Sequence, residues 1–344
     1  MSGHSALFSR GVLAGLLILL PLCMLVALGS GAVTLSPLQA VVGIGDWWRG
    51  EYSQAGVIVG QIRLPRVLLA ALVGAVLATS GAAMQGLFRN PLADPSLIGV
   101  TAGASLGASV VIVLAGSNLQ GLSAVTAVST GAFTGGLLAV LVVYRLAASD
   151  TGTSVATMLL AGIAISALAG ALGNLLEFHA DSEALRRISL WQMGGLDGAN
   201  NERLAFAAVV SFFVLGCLPL FARRLNALLL GESEARYLGI NVEFTKRALV
   251  VLVAIGVGAS VALAGTIAFV GLVVPHIMRM LVGPDHRLLL PASALAGAAL
   301  LVVADNLARV VMAPTELPVG IVTAIVGVPF FISLLRQRSH YGMQ

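Results

Sequence analysis

Long apolar stretches separated by short polar connections run along almost the whole chain. An α-helix that crosses a bilayer takes about 20 predominantly apolar residues, and most of the stretches are near that length. The apolar runs are continuous rather than alternating, which argues against a porin-type barrel. The pattern predicts an all-α, polytopic membrane protein with a single transmembrane domain over residues 1–344 and about ten helical spans. The predicted spans lie near 11–35, 57–84, 92–115, 121–147, 153–178, 204–222, 247–264, 267–283, 288–304 and 317–335.

The first apolar stretch has a second possible interpretation as a signal peptide, because Arg10 precedes a leucine-rich run. The run from Gly11 to Leu28 is long for the apolar core of a signal peptide, and nine more spans follow it. We therefore interpret it as a retained first helix.

Composition narrows the class further. Of the 344 residues, 58% are hydrophobic and only 10% are charged, which excludes a water-soluble enzyme. The 40 glycines suit close helix packing within a membrane. The net charge of +4 comes from scattered arginines and a single lysine, Lys246, and is weak evidence for a nucleic-acid partner. Cys23 and Cys217 lie in apolar runs, so we expect neither a disulfide nor a metal site.

The distribution of arginine and lysine predicts the orientation in the membrane. With ten spans, the connections on the N-terminal side of the membrane contain more of these residues than the connections on the other side. Cytoplasmic connections carry such an excess. We therefore expect both termini in the cytoplasm of a bacterium and the chain in its inner membrane.

Two similar segments indicate an internal repeat. Gly81–Pro91 reads GAAMQGLFRNP and Gly265–Pro275 reads GTIAFVGLVVP, and each follows a helix rich in small residues. The two units would have opposite orientations in the bilayer, as in inverted-repeat transporters. The alternative is that any two spans rich in glycine and alanine look alike.

The sequence lacks the motifs of several catalytic and nucleotide-binding activities. The chain has no GxxxxGK[ST] phosphate loop, HExxH or CxxC motif. The acids near the spans, Asp94, Glu177, Asp305 and Glu316, lie at span ends rather than at mid-membrane. An ion-coupled secondary transporter would need an intramembrane ion or proton site, and an intramembrane enzyme would need a nucleophile and a base. Both remain remote alternatives.

A polar connection between the sixth and seventh spans, residues 223–247, is the longest on the predicted inner face. It contains two short helical patterns around Gly231, which can end one helix while Glu232 begins the next. Its leucines beside charges suit a surface covered by a partner protein. An interfacial helix that lies on lipid headgroups is the alternative.

Five motifs in fixed order then carry a family resemblance. They are Arg63-Leu64-Pro65-Arg66; Gly81-Ala82-Ala83-Met84-Gln85 with Asn90-Pro91-Leu92-Ala93-Asp94-Pro95; Leu230-Gly231-Glu232 with Ala235-Arg236-Tyr237-Leu238-Gly239; Gly271-Leu272-Val273-Val274-Pro275-His276 with Arg279; and Glu316-Leu317-Pro318-Val319-Gly320. From about Arg63 to Arg336 the chain resembles the FecCD-type permease subunits of ATP-binding-cassette (ABC) importers for iron-siderophores, haem and vitamin B12.

The resemblance implies a type II ABC importer permease fold of about ten helices with an inverted repeat, and a homodimer with the substrate path on its twofold axis. Such a permease is not an enzyme. It works with two ATPase subunits, which bind ATP and Mg²⁺, and with a periplasmic binding protein. Neither a covalently bound cofactor, nor a metal site, nor a nucleic-acid partner is implied.

The resemblance also implies roles for individual residues. Arginines on the outer face would receive acidic residues of the binding protein, a cytoplasmic coupling segment at 223–245 would seat in the ATPase, and two short segments would form a cytoplasmic gate. Val155 in the gate is a departure, because vitamin B12 permeases carry threonine there. The matching positions are Arg63, Arg66 and Arg309 for docking; Leu230, Gly231, Glu232, Ala235, Arg236, Tyr237, Leu238 and Gly239 for coupling; and Asn90, Leu92, Ser154 and Val155 for the gate.

Among substrates we favour haem, with a ferric siderophore or vitamin B12 as alternatives. The segment from Leu185 to Leu196 looks closer to haem permeases, and its arginines would suit haem propionates. Three histidines come into question as haem contacts. His276 lies in a motif shared with siderophore permeases, which favours a structural role, and His286 lies in an inner connection. His179 lies on the predicted outer side, where either a haem contact or an ordinary solvated histidine fits.

Overall fold

The computed structural model describes residues 3–51, 53–115, 121–149 and 152–341 and is nearly all helical. A two-stranded antiparallel hairpin, β1 (Ala148–Ser149) and β2 (Gly152–Thr153), joins two of the helices. The helices are α1 (Gly3–Gly29), α2 (Pro37–Arg49), α3 (Gln54–Val57), α4 (Leu64–Leu87), α5 (Val100–Ala115), α6 (Gly121–Ala147), α7 (Val155–His179), α8 (Ser182–Gln192), α9 (Asn201–Cys217), α10 (Ala222–Leu228), α11 (Glu232–Tyr237), α12 (Val242–Ala264), α13 (Val270–Val282), α14 (His286–Val310) and α15 (Val319–Tyr341).

Each of the ten predicted spans contains an apolar helix. Within the described residues, 7 helices are long and apolar enough to cross a membrane, and shorter apolar helices occupy Val100–Leu114, Val270–Val282 and Val319–Ser333. The third helix begins at Val100 rather than near 92. Asp94 caps a 3₁₀ turn at Pro95–Ile98 instead, and Gly99 then takes a left-handed φ of 81°.

Two helices that the apolar pattern did not predict, α2 and α8, lie outside the spans. Both are short and amphipathic, and each begins at a capped residue, Ser36 and Asp181 respectively. Ala184 and Ile188 attach α8 to Ile112 of α5. These helices shape the face of the bundle on which the connections after the odd-numbered spans lie.

Small residues bring the central helix α4 close to its neighbours. A Cβ atom added at Gly74 would lie 2.2 Å from the carbonyl oxygen of Gly297 in α14, and one at Gly81 would lie 1.8 Å from that of Gly271 in α13. Gln85 Nε2 donates to the Leu272 carbonyl at 3.2 Å. The two repeated segments therefore meet in the core, with glycine at the contact because no larger residue fits.

On one face of the bundle, segments beside the connections after even-numbered spans contact each other. Lys246, at the start of α12, donates to the carbonyl oxygen of Thr153 at 2.6 Å. The backbone N–H of His286, at the start of α14, donates to Asn226 Oδ1 in α10 at 2.9 Å. These contacts place the 223–245 segment, the β-hairpin and the start of α14 on one face.

The opposite face holds the connections after odd-numbered spans. Arg66, near the start of α4, contacts Glu316, which precedes α15. Arg203, at the start of α9, donates to the carbonyl oxygen of Leu263 at the end of α12 at 2.6 Å. The described segments thus meet on two opposite faces of the bundle, while the number of membrane crossings stays a prediction.

Candidate functional site

A groove of about 620 Å³ runs between α5 and α7. Its lining mixes polar side chains with a larger apolar surface and carries little charge. Hydroxyls repeat every four residues along α5 and therefore share one face of that helix, and Glu177 pairs with Gln192 Nε2 at 3.2 Å at the far end. The polar lining consists of Ser96, Thr101, Ser105, Ser109, Ser166, Asn174, Glu177, Gln192 and Thr266. Such a lining can solvate a polar solute through hydrogen bonds without holding it by a fixed charge.

The α7 wall of the groove is built from small residues. Added Cβ atoms at Gly170 and Gly173 would meet nothing within 4 Å, so both positions border open space. Gly162 instead packs against the Leu97 carbonyl, which an added Cβ atom would approach to 1.8 Å. The segment before α5 is therefore held directly against α7.

The four predicted gate residues do not line the groove but lie beyond it, toward the face that holds the 223–245 segment. Asn90 follows α4, is exposed and accepts the N–H of Leu92 at 3.0 Å. Ser154 caps α7 by accepting the N–H of Thr157 at 3.2 Å, and Val155 is the first residue of that helix. Each pair is positioned by its own local turn, and their action as a gate remains a prediction.

The predicted coupling segment forms a helix–turn–helix on its face of the bundle. Helix α10 ends at Leu228, and α11 begins at Glu232 after Gly231, as the glycine predicted. Gly231 has a φ of 131°, and an added Cβ atom would lie 2.0 Å from Glu234 Oε2, so only glycine fits this turn. Ala235, which is fully buried, anchors α11.

The outer surface of this segment is apolar and unusually exposed. Leu230, Tyr237 and Leu238 are 66%, 91% and 63% exposed. Gly239, with a φ of 79°, ends the segment. Large apolar side chains this exposed at a polar face of the bundle are typical of a protein-binding surface. Their contact with an ATPase remains a prediction.

The two polar coupling residues differ in their surroundings. Glu232 Oε2 is 2.7 Å from Lys246 Nζ. Arg236 is half exposed and lies 3.8 Å from both Glu232 and Glu243. Glu232 is therefore committed to a contact within the chain, while Arg236 retains a guanidinium that can reach a partner.

Helix α10 is also tied to α14. Asn226 Nδ2 donates to Asp285 Oδ1 at 2.6 Å, and Asn226 Oδ1 lies 2.8 Å from His286 Nδ1. Partial burial raises the pKa of the Asp285 carboxyl, but the N–H of Arg287 and the Asn226 amide outweigh it and hold this pKa below its ordinary value. A displacement of α10 would therefore reach α14 through charged and polar groups.

On the opposite face, the three predicted docking arginines are buried and engaged within the chain. Arg63 is 5% exposed and donates to the carbonyl oxygens of Leu28 and Val33. These two bonds attach the start of α4 to the end of α1 and the segment after it. Arg63 therefore presents no free guanidinium to a partner in this conformation.

Arg66 and Arg309 share one buried carboxylate. Arg66 Nε is 2.9 Å from Asp305 Oδ1, Arg309 Nε is 3.1 Å from Asp305 Oδ2, and Asp305 is 1% exposed. Arg66 also pairs with Glu316 at 2.7 Å, and the Glu316 side chain is 44% exposed. The sequence showed Asp305 and Glu316 only as acids at span ends. Both acids lie more than 200 positions from Arg66 along the chain, so no local sequence pattern reveals these pairs.

The histidines lie apart from one another. His286 is fully buried, His276 packs edge-on against Phe330 with ring centroids 6.5 Å apart, and His179 is exposed beside Phe178 at the C-terminal end of α7. Among the residues that the structure describes, no group of three His, Cys, Asp or Glu side chains could hold a metal ion.

A bundle of long apolar helices, with a groove that carries hydroxyls and amides and an exposed apolar surface at one end, is typical of a membrane permease. Comparison with known proteins makes the class specific. Residues 17–337 match the FecCD transport family. The chain belongs to this family, and it is the membrane-spanning, non-catalytic permease subunit of an ABC importer in a bacterial inner membrane.

Curated relatives agree with this assignment over most of their length. The hemin transport system permease protein HmuU of Yersinia pestis is 50% identical over 280 residues, which cover 80% of this chain and 83% of that protein. The cobalamin import system permease protein BtuC of Halobacterium salinarum is 47% identical over 84% of this chain and 76% of its own length. The vitamin B12 import system permease protein BtuC of Escherichia coli O1:K1 / APEC is 42% identical over 92% of both chains.

A solved structure confirms the predicted fold. It is described as an inward-facing conformation of a metal-chelate type ABC transporter, and it superposes with a TM-score of 0.83 at 34% identity over 95% of this chain and 99% of its own. PsaBC from Streptococcus pneumoniae has a TM-score of 0.55 at 18% identity over 86% of this chain and 94% of its own, a likeness of fold alone. The predictions of an all-α type II importer permease and of the FecCD family are confirmed.

Proposed function

We propose that this permease carries haem from a periplasmic binding protein into the cytoplasm, driven by ATP hydrolysis on separate subunits. The observation that carries the proposal is the groove between α5 and α7, which carries hydroxyls and amides among its apolar residues and is open on one side in a single chain. It begins at Gln192 of α8 and runs toward the face that holds the predicted gate residues. A second copy would close it into a path through the membrane.

The homodimer in this proposal rests on the exposed face of α7. Few of its residues are buried, and large apolar side chains such as Leu160 and Phe178 are 68% and 84% exposed. Lipid could cover such a face, but lipid would not suit the hydroxyls and amides of the adjoining groove. A second copy of α7 across a twofold axis covers the apolar residues and encloses the polar ones.

Gly170→Trp tests the path directly. The position borders open space, so the indole does not disturb the single chain but enters the groove. A barrier of about 1.4 kcal/mol slows a step about tenfold, and we expect haem uptake into proteoliposomes to fall by about that factor or more. Gly216→Trp is the matched control, because its added Cβ atom also meets nothing within 4 Å but α9 does not line the groove. Equal uptake by the two variants would contradict the assigned path.

Haem is favoured over the alternatives by two observations. The HmuU relative is the haem protein among the three relatives described above, at 50% identity against 47% and 42% for the cobalamin proteins. Helix α8, whose Gln192 lines one end of the groove, carries the exposed Arg186, which suits a propionate. Arg187 instead lines a separate pocket with Trp191 and Arg203. A ferric siderophore or vitamin B12 remains the alternative substrate, and the exposed His179 offers a haem contact only at the entry.

The partners follow from the two faces. We assign the apolar surface of Leu230, Tyr237 and Leu238 to the ATPase subunits, which would bind ATP and Mg²⁺, and this places both termini in the cytoplasm. The binding protein would dock on the face of Arg63, Arg66 and Arg309. Since these arginines are buried and paired, docking through them requires an acidic residue of the partner to exchange with the half-exposed Glu316. Such exchange fixes orientation more than it adds affinity.

A further inference from the structure

The chain's single lysine occupies a buried position at the polar face of the bundle. Lys246 lies in the first turn of α12 and its side chain is 2% exposed, whereas the other basic residues of the chain are arginines. A buried ammonium group is costly unless every donor is paired. The contacts of Lys246 therefore decide which segments the buried ammonium group holds together.

Lys246 joins the β-hairpin, which lies 93 positions away in the chain, to the starts of α11 and α12. Its Nζ donates to the Thr153 carbonyl oxygen at 2.6 Å, to Glu232 Oε2 at 2.7 Å and to Glu243 Oε1 at 3.4 Å. These partners belong to the β-hairpin, to the first residue of α11 and to α12. An ammonium has three donors, and all three are used.

Both backbone polar groups of Thr153 form hydrogen bonds with side chains of α12. Its carbonyl oxygen accepts from Lys246, and its N–H donates to Glu243 Oε2 at 2.9 Å. Gly152 makes this approach possible, because its φ is 124° and an added Cβ atom would lie 2.8 Å from Glu243 Oε1. Thr153 immediately precedes Ser154, the capping residue of α7. Lys246 therefore contacts the residue that immediately precedes the N-cap of α7, a helix that lines the groove.

We propose that Lys246 is a positioning residue that transmits displacement of α11 to the start of α7 by holding Glu232 and the Thr153 peptide on one ammonium group. The inference rests on the proposed function, in which the ATPase moves α11. Nucleotide-driven movement of Glu232 pulls the ammonium, and the ammonium pulls the residue before the α7 cap. A planar guanidinium has a different donor geometry and is a poor substitute in this three-way contact.

The test uses the complete complex of the permease with its co-expressed ATPase in proteoliposomes, with haem presented on the binding protein. For Lys246→Met we expect the ATPase to co-purify and hydrolyse ATP, while the haem transported per ATP falls about tenfold, at the upper range of coupling changes by single residues. Arg287→Met is the matched control. It also removes a cation from the first turn of a helix on the same face, but its side chain is exposed, and we expect wild-type coupling.

Gly152→Ala provides a second variant that keeps every charge. The added methyl group displaces Glu243 from the Thr153 peptide, so it should also lower transport per ATP, and it decides the matter where Lys246→Met does not assemble. A wild-type ratio of transport to hydrolysis in the assembled variants would overturn the proposal. So would a parallel fall of assembly, hydrolysis and uptake in both, which marks a merely structural role. Failure of the wild-type chain to retain any ATPase would instead refute the proposed function itself.

Discussion

Asp305→Asn is expected to lower the free energy of unfolding by about 3–5 kcal/mol, the cost of breaking a buried ion pair by removing one partner. The carboxylate of Asp305 is 1% exposed and neutralises two buried guanidinium groups, Arg66 and Arg309. Asparagine keeps the shape but leaves the two cations facing each other. Thermal unfolding in detergent, followed by loss of the monodisperse species, measures the effect.

Glu316→Gln is the control for that substitution. It removes the other acidic partner of Arg66, but the Glu316 side chain is 44% exposed, and exposed pairs contribute only about 0–1 kcal/mol. We therefore expect little change in its unfolding temperature. If both variants unfold alike, the buried carboxylate does not hold α4 and α14 together, and the outer arginines are free for another role.

The second large effect is expected from Tyr237→Glu combined with Leu238→Glu. The two side chains are 91% and 63% exposed, so the fold should tolerate the change. Carboxylates in the middle of an apolar interface should weaken ATPase binding about 100-fold, since central interface residues contribute about 2–4 kcal/mol. Co-purification of the ATPase with the permease at increasing dilution gives the measurement.

Trp48→Glu is the matched control for the coupling surface. Trp48 is 79% exposed and lies in α2, on the other face of the bundle, so a new carboxylate there should leave ATPase capture unchanged. Undiminished capture by the double variant would remove Tyr237 and Leu238 from the coupling surface.

The apolar pattern predicted the long apolar helices because contact with lipid imposes the same requirement on each crossing helix. Gly231 marked the break between α10 and α11 because glycine alone fits its φ. By contrast, α2 and α8 were missed, since they are too short and amphipathic to resemble a span. Local turn residues and the length of an apolar helix can be read from the sequence.

Long-range polar contacts are not visible in sequence. Arg63 and Arg66 stand at a span end, where a free docking group and a buried structural group look identical. Only the fold shows that Asp305 lies between Arg66 and Arg309. Lys246 attracted attention as the only lysine, but nothing near it in the sequence indicates Thr153 as a partner. The sequence therefore offers candidate positions but not their pairings, and the roles of those positions stay predictions.

Uptake into proteoliposomes that contain this chain and its co-purifying ATPase tests the central claim most directly. Haem, a ferric siderophore and cobalamin would each be presented on the binding protein, with and without ATP. The account predicts haem uptake that requires ATP and is lost in the Tyr237→Glu, Leu238→Glu variant. ATP-dependent uptake of another ligand would replace haem as the substrate, and transport without any ATPase would contradict the account.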